Sequence, residues 1–120
     1  MLRILIVDDE PSVRSLLSLT FLRAGYKVRT ATNALQAMEL CASEGFDAIL
    51  SDVEMPGMDG HCLIQWVLAT YPNMRPVLMS ANSTDCEECP IVERCPLLRK
   101  PFAPKDALAA VARALSKPAN

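Results

Sequence analysis

The chain has 120 residues, a hydrophobic content of 51 % and a mean hydropathy of +0.18, which suits one domain with a buried, mostly aliphatic core. A net charge of −2, a pI near 5.3 and no basic stripe argue against direct nucleic-acid binding, and no apolar run approaches the roughly 20 residues that cross a bilayer. Met1-Leu2-Arg3 leads straight into a strand-like run rather than a signal peptide, so the expectation is a cytoplasmic chain whose five cysteines stay reduced.

The first apolar run, Ile4-Leu5-Ile6-Val7, reads as a strand and ends on Asp8-Asp9. Pro11 suits the first turn of a helix, Val13, Leu16, Leu17, Thr20, Phe21 and Ala24 recur at helical spacing, and Gly25 is a stop. Residues Tyr26 to Ala31 alternate like a more exposed second strand, and Asn33 caps a helix that runs to about Ala42. Gly45 precedes the third run, Ala48-Ile49-Leu50-Ser51, which ends on Asp52. After Asp59-Gly60, Leu63, Ile64, Val67 and Leu68 mark a helix that stops before Tyr71-Pro72. Val77-Leu78-Met79 ends on Ser80, and Leu97-Leu98-Arg99 ends on Lys100. A last helix from about Pro104 sets Leu108, Val111, Ala112 and Leu115 on one face.

Strand-like and helix-like patterns alternate five times, which predicts an α/β fold with a parallel sheet and helices on both faces. There is no repeat, low-complexity tract or linker, so residues 1–120 are expected to form a single domain. The tail Lys117-Pro118-Ala119-Asn120 is either a free end or the start of a linker.

If the apolar runs are parallel strands, their C-terminal ends share one edge of the sheet. Asp8, Asp9, Asp52, Ser80 and Lys100 then converge there. Crowded carboxylates repel unless a cation joins them, and a hard ion such as Mg²⁺ prefers oxygen ligands. A carboxylate also serves as a nucleophile toward a phosphoryl group. The pattern points to an aspartyl-phosphate.

This constellation closely resembles the receiver domain of two-component response regulators. The resemblance runs from Leu2 to about Leu115 and rests on Asp8-Asp9, Asp52 followed by Met55-Pro56-Gly57-Met58-Asp59-Gly60, Ser80-Ala81, and Lys100-Pro101-Phe102. It implies a flavodoxin-like, doubly wound sheet of order 2-1-3-4-5. It also implies roles. Asp52 is the phosphoryl acceptor, Asp9 ligates Mg²⁺ directly, Asp8 acts mainly through water, and the backbone carbonyl of Glu54 completes the metal set. Lys100 supplies a charge to the phosphoryl group, Ser80 donates its hydroxyl to it, and Lys100-Pro101 is a cis peptide. Such a chain catalyses its own phosphorylation and dephosphorylation without being a conventional enzyme. The implied partners are a sensor histidine kinase or phosphotransfer protein, and a downstream protein or fused output domain. The surface that changes is that of the fourth helix, fifth strand and last helix.

Other readings fit less well. A haloacid-dehalogenase-type phosphatase needs Asp-x-Asp after its first strand, whereas Asp8-Asp9-Glu10 has adjacent acids. Flavodoxin needs a hydroxyl- and glycine-rich phosphate loop there, and the carboxylates of Asp9-Glu10 repel phosphate.

Three departures from the family pattern stand out. Glu54 and Asn82 occupy positions, two after the acceptor and two after the switch hydroxyl, that tune phosphoryl lifetime in the family. Leu97 stands where ring-swinging receivers carry an aromatic. Residues 82–96 contain Pro90 and Pro96, which leave a fourth helix of at most about two turns. This segment also carries Cys86, Cys89 and Cys95. With His61 or Cys62 as a fourth ligand they would make a Zn²⁺ set, and the Cys-Pro pairs bear some likeness to Fe-S ligand runs. The alternatives are small apolar fillers or a redox thiol pair. A metal- or thiol-redox-binding interaction module on a receiver scaffold is therefore the second functional reading. Cys41, Trp66 and Met38 read as core packing.

Overall fold

Short apolar strands interleaved with amphipathic helices decide the architecture. The computed structural model describes residues 2–55, 57, 60–80 and 97–116, with His61 by its backbone alone. Its strands are β1 (Arg3–Val7), β2 (Lys27–Ala31), β3 (Ala48–Asp52), β4 (Arg75–Ser80) and β5 (Leu97–Arg99). Its helices are α1 (Pro11–Arg23), α2 (Ala34–Ser43), α3 (Gly60–Thr70) and α4 (Pro104–Ser116). All strand pairs are parallel, in the order β2-β1-β3-β4-β5. This is the doubly wound, flavodoxin-like sheet expected from the sequence.

Successive strand residues point to opposite faces, so each strand feeds two cores. Leu5, Val7, Ile49 and Leu78 pack with α2 and α3 through Ala37, Cys41, Leu63, Ile64 and Val67. Ile4, Ile6, Leu50, Val77 and Met79 pack with α1 and α4 through Leu17, Phe21, Ala107 and Val111. Central strands buried on both faces read as continuous apolar runs, which is why β1 and β3 were legible without alternation. The edge strand β2 is more exposed, as expected, but does not alternate: Val28 is half-buried toward one core, Ala31 is buried in the other, and Lys27, Arg29 and Thr30 are exposed.

Local signals set the helix ends. Pro11 opens α1. Gly25 takes φ 98°, a left-handed conformation that glycine adopts without steric cost, and the chain turns there into β2. At α2, Asn33 Oδ1 accepts from the Gln36 N–H at 2.8 Å, and Gln36 Oε1 accepts from the Thr32 N–H at 2.8 Å. This reciprocal cap satisfies donors that the first helical turn leaves free.

Two helix faces differ from expectation. α4 buries Ala107, Ala110, Val111 and Ala114, whereas Leu108 and Leu115 lie at its margin and Ala112 is exposed. The small alanines let the helix backbone approach the sheet closely, which a pattern weighted toward large residues misses. On α1, Leu17 and Phe21 are buried, but Leu16 is 52 % exposed and Ala24 is exposed too. α1 carries leucines around much of its circumference, so periodicity alone did not isolate its core face. The shortened fourth helix expected in residues 82–96 lies outside the described residues.

Candidate functional site

The site grows out of the strand ends. The backbone ladder continues one residue past three strands: Asp8 N–H donates to Ala31 O at 3.1 Å, Val53 N–H to Met79 O at 2.8 Å, and Lys100 N–H to Ser80 O at 2.8 Å. Asp8, Asp52, Ser80 and Lys100 are thereby held to the sheet, and Asp9 follows directly in the loop after β1. The chain order reverses between β1 and β3, and in doubly wound sheets the crevice at such a point is where ligands bind.

Asp8, Asp9 and Asp52 bring one carboxylate oxygen each to within 4.8 Å of one another. Asp8 is fully buried; its Oδ1 accepts from the Glu10 N–H at 2.9 Å and its Oδ2 pairs with Lys100 Nζ at 3.2 Å. Asp9 is exposed. Asp52 is 3 % exposed, with Oδ2 at 3.2 Å from Lys100 Nζ and Oδ1 accepting from the Glu54 N–H at 3.3 Å. Lys100 thus bridges the two buried carboxylates, and Lys100-Pro101 is cis. Arg14 Nη1 donates to the Asp8 carbonyl at 2.8 Å.

These surroundings set the charges. Burial, and then repulsion from Asp8, push the Asp52 carboxyl up from 3.8 to about 6, although Lys100 pulls the other way. For Lys100, burial alone would lower the pKa, but the carboxylates of Asp52 and Asp8 outweigh it and the ammonium is raised above its ordinary value. The pocket holds more negative charge than Lys100 offsets. Its donors are hard oxygens, and a divalent ion such as Mg²⁺ fits both the charge deficit and the ligand type.

A pH dependence follows. Asp52 holds its proton more tightly folded, near 6, than at its ordinary 3.8, so its contribution to stability falls as the pH rises between those values. In chelator, the wild type should lose about 1–3 kcal/mol of unfolding free energy over this range that Asp52→Asn does not lose. Urea titrations at pH 4 and 7.5 check this; parallel losses in both proteins would contradict it.

One arrangement was not foreseen. Ser80, fully buried, donates its hydroxyl to Glu54 Oε1 at 2.7 Å. The sequence alone assigned Glu54 a metal-ligating carbonyl and a position that tunes phosphoryl lifetime, and aimed the Ser80 hydroxyl at a phosphoryl group. The available signal was register: Asp52 pairs with Met79, so the residues that follow each of them leave the sheet side by side.

Cys41 is a buried core residue whose thiol burial pushes up to about 11, which suits packing and not thiolate chemistry. Trp66 and Met38 pack against the same core, and Trp66 meets Tyr71 edge-on at 5.5 Å. Leu97 is half-buried against that core as well. Cys62 is exposed. Cys86, Cys89, Cys95, Asn82 and the His61 side chain lie outside the described residues, and nothing among the described residues or relatives supports Zn²⁺ or an Fe-S cluster. Among the described residues no helix is long and apolar enough to cross a membrane.

Known proteins resemble this chain in sequence and in fold. Sporulation initiation phosphotransferase F of Bacillus subtilis is 38 % identical over 79 residues, covering 66 % of this chain and 64 % of that protein. The DNA-binding transcriptional regulator NtrC of Escherichia coli is 34 % identical over 113 residues, 92 % of this chain but 24 % of the relative. The response regulator FleR of Pseudomonas aeruginosa is 38 % identical over 79 residues and 17 % of its length is matched. The chain therefore spans between 17 % and 64 % of the length of these relatives. Among solved structures, TrrA of Thermotoga maritima, in complex with Mg²⁺ and BeF, superimposes with a TM-score of 0.86 at 28 % identity over 95 % of this chain and 99 % of that one. The chemotaxis response regulator CheY4 of Vibrio cholerae gives a TM-score of 0.86 at 30 % identity, over 95 % and 98 % of the two chains. The family model of the response regulator receiver domain matches residues 4–112, so the chain belongs to the receiver domains of two-component response regulators, phosphorylation-dependent signalling switches with an acidic pocket.

Proposed function

We propose that Asp52 accepts the phosphoryl group and that residues 1–120 act as one receiver domain in the cytoplasm. The observation that carries this reading is a nearly buried Asp52 at the β3 end, paired with Lys100 and facing Asp8 and Asp9. With its pKa near 6 the Asp52 carboxyl is largely ionised at neutral pH and therefore nucleophilic. A carboxylate oxygen attacks phosphorus, and the bond from phosphorus to the donor breaks with its electron pair leaving on the donor. Lys100, already 3.2 Å from Asp52 Oδ2, places positive charge where phosphoryl oxygens arrive. Asp9, Asp52 and the Glu54 carbonyl would hold Mg²⁺. Asp8 would act mainly through water, the role that the family resemblance implies for it. Bound Mg²⁺ supplies charge that offsets the phosphoryl oxygens.

Receiver domains take their phosphoryl group from histidine kinases or phosphotransfer proteins, and the likeness to phosphotransferase F and to NtrC supports a donor of that class for this chain. The output surface is then residues 82–96 together with β5 and α4, read by a separate protein or a fused domain. Leu97 in place of an aromatic favours a switch that works by backbone movement and Leu97 packing.

Incubation with Mg²⁺ and acetyl phosphate should add one phosphoryl group to the wild type, seen as a mass increment that hydroxylamine removes, as acyl phosphates require. No increment, or one that resists hydroxylamine, would refute the reading.

A further inference from the structure

A serine hydroxyl has one proton to donate. Here it goes to Glu54 Oε1 at 2.7 Å, while the Glu54 N–H reaches Asp52 Oδ1 at 3.3 Å. Glu54 therefore engages the hydroxyl beside the acceptor and the acceptor itself. A phosphoryl group at Asp52 brings strong acceptor oxygens and negative charge to the same place. One proton cannot serve both anions, and charge-assisted bonds of this kind are roughly twice as strong as neutral ones.

We propose that Glu54 is a positioning residue that holds the Ser80 hydroxyl in the resting state, so that phosphorylation must take this hydroxyl away from Glu54. The proposal rests on Asp52 being the acceptor. It gives the switch a defined first movement: the Glu54 carboxylate leaves, repelled by the phosphoryl group, and Ser80 turns to the new anion. Ser80 sits at the last position of β4, and its carbonyl accepts from the Lys100 N–H at 2.8 Å. A change at Ser80 is therefore passed directly to the exit of β5. The exchange requires no aromatic at position 97. Glu54 is exposed, so its side chain has solvent to move into, whereas Ser80 is fully buried, so its hydroxyl turns without leaving the site.

The rival account is that Glu54 acts only as a local negative charge. A double-mutant cycle separates the two, because an effect that runs through the hydroxyl vanishes when the hydroxyl is absent, whereas a charge effect persists. The probe is beryllofluoride with Mg²⁺, an anion that adds to a carboxylate oxygen as a phosphoryl group does. Its affinity is measured by calorimetry for the wild type, Glu54→Ala, Ser80→Ala, the double variant and Asp52→Asn. Glu54→Ala should tighten binding about tenfold in the wild type and less than about threefold in the Ser80→Ala background. Equal tightening in both backgrounds, or none in the wild type, overturns the proposal. Should Ser80→Ala not fold, Ser80→Cys, whose thiol is a weak donor, takes its place in the cycle. Asp52→Asn separates the levels of the argument: binding to it as tight as to the wild type, or no binding to any of the proteins, overturns the acceptor reading and this proposal with it.

Discussion

Asp52→Asn should take up no phosphoryl group from acetyl phosphate and Mg²⁺ under conditions in which the wild type takes up one. The amide has nearly the shape of the carboxylate but no anionic oxygen to attack phosphorus. Asp8 is not expected to replace it, since it is fully buried. The loss should be complete rather than partial. It should also occur in a folded protein, since the substitution removes a buried carboxylate that burial and Asp8 disfavour. Intact-mass measurement and far-UV circular dichroism on the same samples check both points. Equal labelling of variant and wild type would remove Asp52 from the mechanism.

Gly60→Ala should produce the largest loss of stability of any single-methyl addition at a glycine of the described chain. A Cβ at this position would collide with the Asp52 carbonyl oxygen and stand 2.8 Å from Val53 Cα and 3.0 Å from Asp52 C. All of these are backbone atoms, so no side chain can rotate out of the way. At Gly45 a Cβ would meet nothing within 4 Å, and at Gly25 and Gly57 the space is also open, the cost there being that of the positive φ, 98° and 81°. Gly60 is the first residue of α3, and its N–H donates to Val53 O at 3.0 Å. To accept a methyl group, α3 must move away from the β3 end or that end must bend. The expected cost is about 2–4 kcal/mol, read as a lower urea midpoint. Because the clash falls on the acceptor residue itself, phosphoryl uptake should drop with it. A midpoint within about 0.5 kcal/mol of the wild type would show that the helix start gives way freely.

Much of this fold was readable before any coordinates. The buried runs Ile4-Val7 and Ala48-Ser51 identify central strands because a parallel sheet covered on both faces leaves no room for polar alternation. Pro11, Gly25 and Asn33 mark helix ends because each answers a local backbone requirement. The helix faces were less legible. The alanines of α4 carry little hydrophobic weight in a sequence pattern, yet they are what lets that helix sit close to β4. The leucines of α1 carry much weight, yet Leu16, Leu19 and Leu22 are 52 %, 46 % and 55 % exposed.

The same division runs through the site. Which residue types stand at the strand ends is a property of the sequence alone: two acids after β1, one acid ending β3, a hydroxyl ending β4 and an ammonium after β5. Parallel strands in that order must bring them to one edge, so the acidic pocket and its fit to Mg²⁺ followed from spacing and chemistry. The pairing within the pocket did not follow. That Lys100 bridges Asp8 and Asp52, that Ser80 donates to Glu54, and that Gly60 lies against the Asp52 carbonyl depend on distances of a few ångströms between separate segments of the chain. Sequence determines which groups meet because strand order and side-chain period are discrete. Tertiary structure alone decides which of them hydrogen-bond, because competing partners differ by rotamer and by small shifts in packing that no linear pattern encodes.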